Sequence, residues 1–574
     1  MSDPSAPRRL RTDFRDAPID IDAPPLLTWE PDGRQEAVEL EFGPVGGQTT
    51  LERRRSASAS WELGLPPASM TGFMWRIRTA SASRWSPWSE WSRFETALLR
   101  ESDWGESRWI RSALAGASPI LSTRFDGAAS SNLRLAVSGL GVVDVRVNGS
   151  PVSEAVLDPP PSAYDAIVHY RLWDVSELVR PGTNTLAARL GRGFYAMSTP
   201  TSFGWHAAPW RGVPKLRAVV YDVERPGRPL LVSDSTWTSE LTEVTDDSFY
   251  TGEIIDFRRP QAIGAAAPAT APAGALRISR QPPVTRRERV DILGTVRTGS
   301  ARHRFDLAAN IAGMIAVSTE DGTSPTLQVK LGEKLGDAGE VLADDPAVPG
   351  ELQRSTVIGA PSGATISFGL SYAGFQYAEV SGTTAPVSII VDRVSAAPTS
   401  VGSFSSSDPL LDTIHRVTRL TLENCLQGTP VDTPLYEKQG YTGDAQLLTE
   451  TYAYNYWMPN YLGGWFESSV LPSLHDDGSL PGITPSPPGD WIFDTPSPAW
   501  DAVLFEVPET LARHYGDLSM MRRSLPALRR YLGFLAERFP GGIVDVGLGD
   551  WNAPGHIMPP SIRPSCQRPT TTAS

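Results

Sequence analysis

Three carboxylates, Asp432, Glu437 and Asp444, fall within the stretch DTPLYEKQGYTGDAQ, which Gly440, Gly443 and Pro434 mark as a turn leading into a helix. Such a group suits cleavage of a glycosidic bond. That reaction needs one protonated carboxyl to donate to the leaving oxygen and one carboxylate to activate water or attack the sugar. The donor's pKa has to be raised, which burial and neighbouring negative charge both achieve. Asp432 and Asp444 flank Glu437 and would supply that charge, or accept hydrogen bonds from sugar hydroxyls. Lys438 would oppose the effect if its ammonium folded toward Glu437. A plainer reading puts Asp444 at the positive end of a helix beginning at DAQLL, with Glu437 in water. Composition alone favours that plainer reading.

The elements that must position these residues change character along the chain. Its 574 residues are too many for one core. Residues 1–97 read as short strands between Pro, Gly and Asp turns, and Met74, Arg76 and Arg78 alternate as on a half-buried strand. The segment WSPWSEWS within this unit is similar to thrombospondin repeats and to the tryptophan box of cytokine receptors. The first needs cysteines that are absent and the second needs secretion, so a fibronectin-type sandwich is the preferred reading. Residues 98–261 form a second β unit, with NLRLAVSG and VVDVRVNG as alternating strands and Asn148-Gly149 as a hairpin turn. The Ala/Pro stretch in 262–284 reads as a linker, and 285–400 as a third β unit. From residue 401 the period changes to that of helices. Leu410, Ile414, Val417 and Thr421 share one face, and Leu525, Leu528, Leu532 and Leu535 share another. About five helices are expected over 401–555, with a break at Pro459 and a helix that tolerates Pro508. The fold class is therefore multidomain β + α: three β-sandwich modules (fibronectin-like, jelly-roll-like, concanavalin-like) followed by an incomplete helical toroid. Residues 556–574, rich in Pro, Ser and Thr, read as an unstructured tail.

The ordered string DTPLYEKQGYTGDAQ resembles the active-site signature of bacterial α-L-rhamnosidases, inverting glycoside hydrolases with an (α/α)6 barrel. Many members read D-C-P-Q-R-E-R-L-G-W-T-G-D, and a subgroup carries the Tyr-Glu-Lys form. Further motifs are similar in the same order: WSPWSEWSRFETALL, GLGVVDVRVNG, WDVSELVRPGTNTLAARLGRGFY, SYAGFQYAEVSG and GSFSSSDPLLDTIH. The resemblance implies that Glu437 is the general acid and that Asp432 and Asp444 hold sugar hydroxyls. It also places Trp500 of AWDA and Trp551 of GDW in a rhamnose pocket, where indoles suit the apolar face and methyl group of a 6-deoxy sugar. Tyr436 and Tyr441 join the substrate-binding set, standing where many members have a sugar-binding Arg and a Trp. The implied substrate is a rhamnose-containing oligosaccharide or glycoside.

The family's base is a Glu on a late barrel helix, and by this reading it is absent from the chain. Glu506, Asp494 and Asp501 are the nearby substitutes, and no spacing favours one of them. Shifting the reading frame near Pro560 permits a helical continuation, so the tail is expected to be a frameshift product. Half a toroid would leave the inner faces of its helices uncovered. No cofactor is implied, a calcium ion in a sandwich domain being compatible with the sequence, and no metal site is read from it. A net charge of −13 argues against a nucleic-acid partner. No apolar run is long enough for a membrane, and the basic start lacks the apolar stretch of a secretory signal, which points to the cytoplasm. Cys425 and Cys566 are too few for a disulfide framework. Two other classes remain open from sequence: a non-catalytic carbohydrate-binding protein and another (α/α)6 glycoside hydrolase.

Overall fold

The computed structural model describes residues 4–548 except 65, 67, 82–83, 128–131, 226, 345–350 and 488–495. Trp551, Asp494, Cys566 and the expected tail 556–574 lie outside the described residues.

Alternating apolar positions build the first unit. Strands Arg8–Thr12, Leu26–Glu30 and Ser60–Glu62 form one antiparallel sheet, and a second is centred on Ala37–Pro44 and Gly72–Ser81. Leu27, Trp29, Leu40, Trp75 and Ile77 fill the space between the two sheets, as in an immunoglobulin-like sandwich.

The second unit is a sandwich whose two layers are continuous through one strand. That strand, Ile263–Pro268, pairs with Thr238–Leu241 on one side and Ile110–Ser112 on the other. The stretch expected to be a linker is therefore structural. A further strand from it, Ala275–Ile278, runs parallel to Ile167–Asp174. Composition misled here because pairing in a sheet is decided by distant partners, and a run of small residues still donates and accepts along its backbone.

The third sheet is mainly antiparallel and is organised around the long strand Arg302–Thr319, with Ala373–Ser381 and Val387–Ser395 beside it. Its far edge is taken by the hairpin Val244–Ser248/Gly252–Asp256, which pairs in parallel with Arg354–Ile358. Sequence order places this hairpin with the second unit, whereas its hydrogen bonds place it in the third. Its turn, Phe249 to Thr251, consequently projects toward the helical region.

Helix α1 (Pro409–Cys425) starts with Asp408 accepting from the Leu410 amide and Pro409 in its first turn. Helix α2 (Thr442–Asn455) is followed by α3 (Pro459–Trp465), so the expected break at Pro459 coincides with a helix start. The short α4 (Pro498–Asp501) leads into α5 (Val503–Tyr515), which contains Pro508 and ends at Gly516 in the left-handed region. Asp517 caps α6 (Leu518–Arg538). Tyr461, Leu462, Trp465, Phe466 and Leu511 are buried in one core shared with the third sheet. The apolar stripes on α1 and α6 are different: Leu410 is 63% exposed, Ile414 50% and Leu532 51%. Among the described residues nothing covers these faces.

Candidate active site

The carboxylate-bearing loop runs from Val431 to Tyr441, between α1 and α2. Its shape follows from a reciprocal clasp between Asp432 and Gln439. The Gln439 amide donates to Asp432 Oδ1 at 2.9 Å, and the Asp432 amide donates to the Gln439 carbonyl at 3.0 Å. The loop lies against the third sheet at Gly374, where a Cβ would stand 2.8 Å from the Leu435 nitrogen and 2.9 Å from the Pro434 carbonyl carbon. Only glycine permits that approach. On the other side, Gly440 packs on the Thr484 carbonyl, and the Thr484 amide donates to the Gly440 carbonyl at 2.8 Å.

Lys438 settles the question of its direction. Its backbone adopts a positive φ of 55°, which turns the side chain away from that of Glu437. Lys438 is 1% exposed, and its ammonium donates to the carbonyls of Phe249 at 2.5 Å and Tyr372 at 2.6 Å. It also lies 4.4 Å from the centre of the Tyr372 ring. Burial pushes its pKa down to about 7. The neighbouring backbone is held from the same hairpin turn: Tyr250 Oη donates to the Glu437 carbonyl at 2.7 Å. Gln439 Nε2 donates to that carbonyl at 2.8 Å and to Tyr250 Oη at 2.6 Å, while Trp205 Nε1 donates to Gln439 Oε1 at 3.0 Å. Two β units thus grip the rear of the loop.

On the front, Glu437 is half-buried and its Oε2 accepts from the Tyr441 hydroxyl at 2.5 Å. Burial, followed by the charge of Glu437, drives the Tyr441 pKa far up, so the phenol keeps its proton and remains a donor. Asp432, also half-buried, has its carboxyl pushed well above the usual carboxylate range by desolvation and then by the charge of Glu437. Asp444 sits in the first turn of α2 and is exposed. Trp500 reaches the same turn: a Cβ on Gly443 would fall 2.5 Å from its Nε1 and 2.6 Å from its Cδ1. The indole is therefore pressed against the α2 backbone next to Asp444. Tyr436 is half-buried on the loop between Leu435 and Glu437.

The loop, α2 and α4 thus bring together Asp432, Tyr436, Glu437, Tyr441, Asp444 and Trp500. Of the residues considered as a base, Asp501 is buried and accepts from Tyr531 Oη at 3.0 Å and the Ser497 amide at 3.1 Å. Burial pushes its pKa up to about 7. Glu506 lies in the first turn of α5. Local sequence reading missed Lys438 as an anchor, and it missed Tyr250, Gln439 and Trp205 altogether. No spacing signal could have found Trp205 or Tyr250, because each lies far from the loop in sequence.

Gly443→Ala is expected to force Trp500 off the α2 backbone at a cost of about 1–3 kcal/mol, the usual range for overpacking. Tryptophan fluorescence should shift while far-UV circular dichroism stays unchanged. An unshifted spectrum with unchanged stability would show that the indole does not rest there.

Four family models match the chain in succession. They are the Rha78A-like N-terminal immunoglobulin domain over residues 7–100, the alpha-L-rhamnosidase N-terminal domain over 129–288, the bacterial alpha-L-rhamnosidase concanavalin-like domain over 296–397, and the bacterial alpha-L-rhamnosidase 6 hairpin glycosidase domain over 399–573. An alpha-L-rhamnosidase of Formosa agariphila is 26% identical, across 90% of this chain and 60% of its own length. One of Streptomyces avermitilis is also 26% identical, across 78% of this chain and 45% of its own length. The chain thus spans about 60% or less of the curated relatives it matches. The solved alpha-L-rhamnosidase structure from Dictyoglumus thermophilum superposes with a TM-score of 0.85 at 23% identity, covering 97% of this chain and 67% of that one. The Streptomyces avermitilis enzyme complexed with L-rhamnose gives 0.83 at 18% identity, covering 95% and 72%. These similarities fix the architecture as an immunoglobulin-like module, a concanavalin-like module and a six-hairpin glycosidase domain in one chain.

Proposed function

We propose, for a chain that belongs domain by domain to the bacterial α-L-rhamnosidases, that Glu437 protonates the leaving oxygen of terminal non-reducing α-L-rhamnosyl residues in an inverting reaction. The observation that carries this reading is the hydrogen bond from Tyr441 to Glu437 Oε2, made beside a second half-buried carboxyl, Asp432. With Oε2 accepting from Tyr441, we assign the transferable proton of Glu437 to Oε1. Mutual repulsion between Asp432 and Glu437 disfavours ionising both. The carboxyl of Asp432 and the exposed carboxylate of Asp444 suit sugar hydroxyls. The Trp500 indole suits the apolar ring face and the methyl group.

An inverting pocket also needs a base about 6.5–9.5 Å from the acid. Asp501 is engaged by Tyr531 and Ser497, and we assign the base to no described carboxylate. Hydrolysis by these residues alone is accordingly expected to be weak. Azide should restore turnover of aryl α-L-rhamnosides by entering the space opposite Glu437. Its nitrogen bonds to the anomeric carbon as the C–O bond breaks and the leaving oxygen takes the proton of Glu437. The product is β-L-rhamnosyl azide, readable by proton NMR. Release of an α-configured first product would contradict inversion. Absence of any azide-dependent turnover on rhamnosides, with turnover on another aryl glycoside, would move the chain to a different sugar.

A further inference from the structure

The segment WSPWSEWS, not used by the site above, forms a ladder on the first unit. Its repeat of three sends the serines inward and the tryptophans outward. Ser86 Oγ accepts from the Thr79 amide at 3.1 Å and Ser89 Oγ from the Ile77 amide at 3.0 Å, stitching the segment to strand Gly72–Ser81. The three indoles alternate with guanidinium groups. Arg53 and Arg78 lie 4.7 and 5.2 Å from the ring centre of Trp85, Arg78 and Arg76 each 4.9 Å from that of Trp88, and Arg76 4.6 Å from that of Trp91. Carboxylates fix the cations in turn: Glu41 pairs with Arg76 at 2.7 Å and Glu39 with Arg78 at 2.6 Å. Trp85 and Trp88 thus have a cation at each face. Trp91 ends the ladder with a cation on one face only among the described residues.

Trp91 also lines a groove of about 860 Å³, together with Arg8, Asp16, Trp88, Glu90 and Arg93, a volume in the range of about 300–1,000 Å³ usual for ligand sites. We propose that this groove is a second carbohydrate site, taking an uncharged oligosaccharide stacked on the outer face of Trp91. An indole offers the apolar face that a sugar ring needs. Glu90 and Arg93 are exposed beside it and supply an acceptor and a donor for hydroxyls. Charges of both signs on one rim disfavour a strongly anionic or cationic ligand. The ladder holds the indole in place before the ligand arrives, so little ordering cost remains on binding. The site does not involve Glu437, and it would tether the chain to a polymer while the loop site works on chain ends.

The test is affinity electrophoresis of the full chain through gels containing a neutral rhamnan, a galactomannan, a xyloglucan or an arabinogalactan. At least one polymer should retard the chain, equally for wild type and Glu437→Gln. Trp91→Ala should weaken that retardation at least 10-fold in apparent affinity. Glu90→Ala/Arg93→Ala, which leaves the ladder intact, should weaken it several-fold and so reports even if Trp91→Ala misfolds. Free migration of wild type in all four gels overturns the proposal, as does retardation unchanged in either variant. Retardation lost only in Glu437→Gln would assign all sugar binding to the loop site.

Discussion

Glu437→Gln should cut azide-dependent turnover of alkyl α-L-rhamnosides by about 10²–10⁴-fold, the usual contribution of a positioned general acid. Turnover of a dinitrophenyl rhamnoside should fall far less, because that leaving group departs without a proton. The contrast isolates proton donation from binding. Gln keeps the shape of Glu, and its amide oxygen still accepts from Tyr441, so the loop should hold its form. Equal losses on both substrates would instead point to binding or folding and would remove Glu437 from the role of acid. The same variant has a stability signature. The Asp432 carboxyl is raised in the folded chain, by burial and then by Glu437. A group raised on folding contributes stability that is fully present below its unfolded pKa and lost as pH rises through the folded value. Replacing Glu437 removes the carboxyl that competes with Asp432 for ionisation and lessens that loss, so the variant should melt higher than wild type at pH 7 and at the same temperature near pH 3. No pH dependence in the difference would mean that the two carboxyls do not interact.

Lys438→Met should be the most damaging single change for the helical region. It leaves the buried carbonyls of Phe249 and Tyr372 without their donor, and each unsatisfied buried group costs about 1–3 kcal/mol. A loss of about 2–5 kcal/mol is therefore expected by thermal or urea unfolding. Loosening the loop should also lower turnover, because misplacing a reacting group by about 1 Å costs on the order of 10²-fold. The pH dependence identifies the cause. The Lys438 pKa is depressed on folding to about 7, so its contribution is present above the unfolded pKa of about 10.4 and is lost as pH falls toward 7. The stability gap between wild type and Lys438→Met should therefore widen from pH 7 to pH 10. A neutral substitution would show that the loop is held without the β units. That outcome would also imply that the glycosidase domain can be excised.

Much about this protein was determined by sequence alone, and the reason is local. The change from period two to helical period near residue 401 follows from side-chain alternation, and Pro459, read as a break, coincides with the start of α3. The turn chemistry of DTPLYEKQGYTGDAQ fixes a carboxylate loop before a helix, and Gly443 and Trp500 were both legible as residue types. What lay beyond reach depended on partners remote in the chain. The hairpin at Val244–Asp256 left its sequence neighbours for the third sheet, and an Ala/Pro stretch became the strand joining two layers. Lys438 looked like a competitor of Glu437, and only a positive φ together with two carbonyls from distant strands made it an anchor. Tyr441, expected among the sugar-binding residues, donates its hydroxyl to Glu437. Spacing along a chain specifies which residues can share a face. Which way a buried charge turns is decided by where its desolvation is compensated, and that depends on groups only the tertiary fold brings within reach.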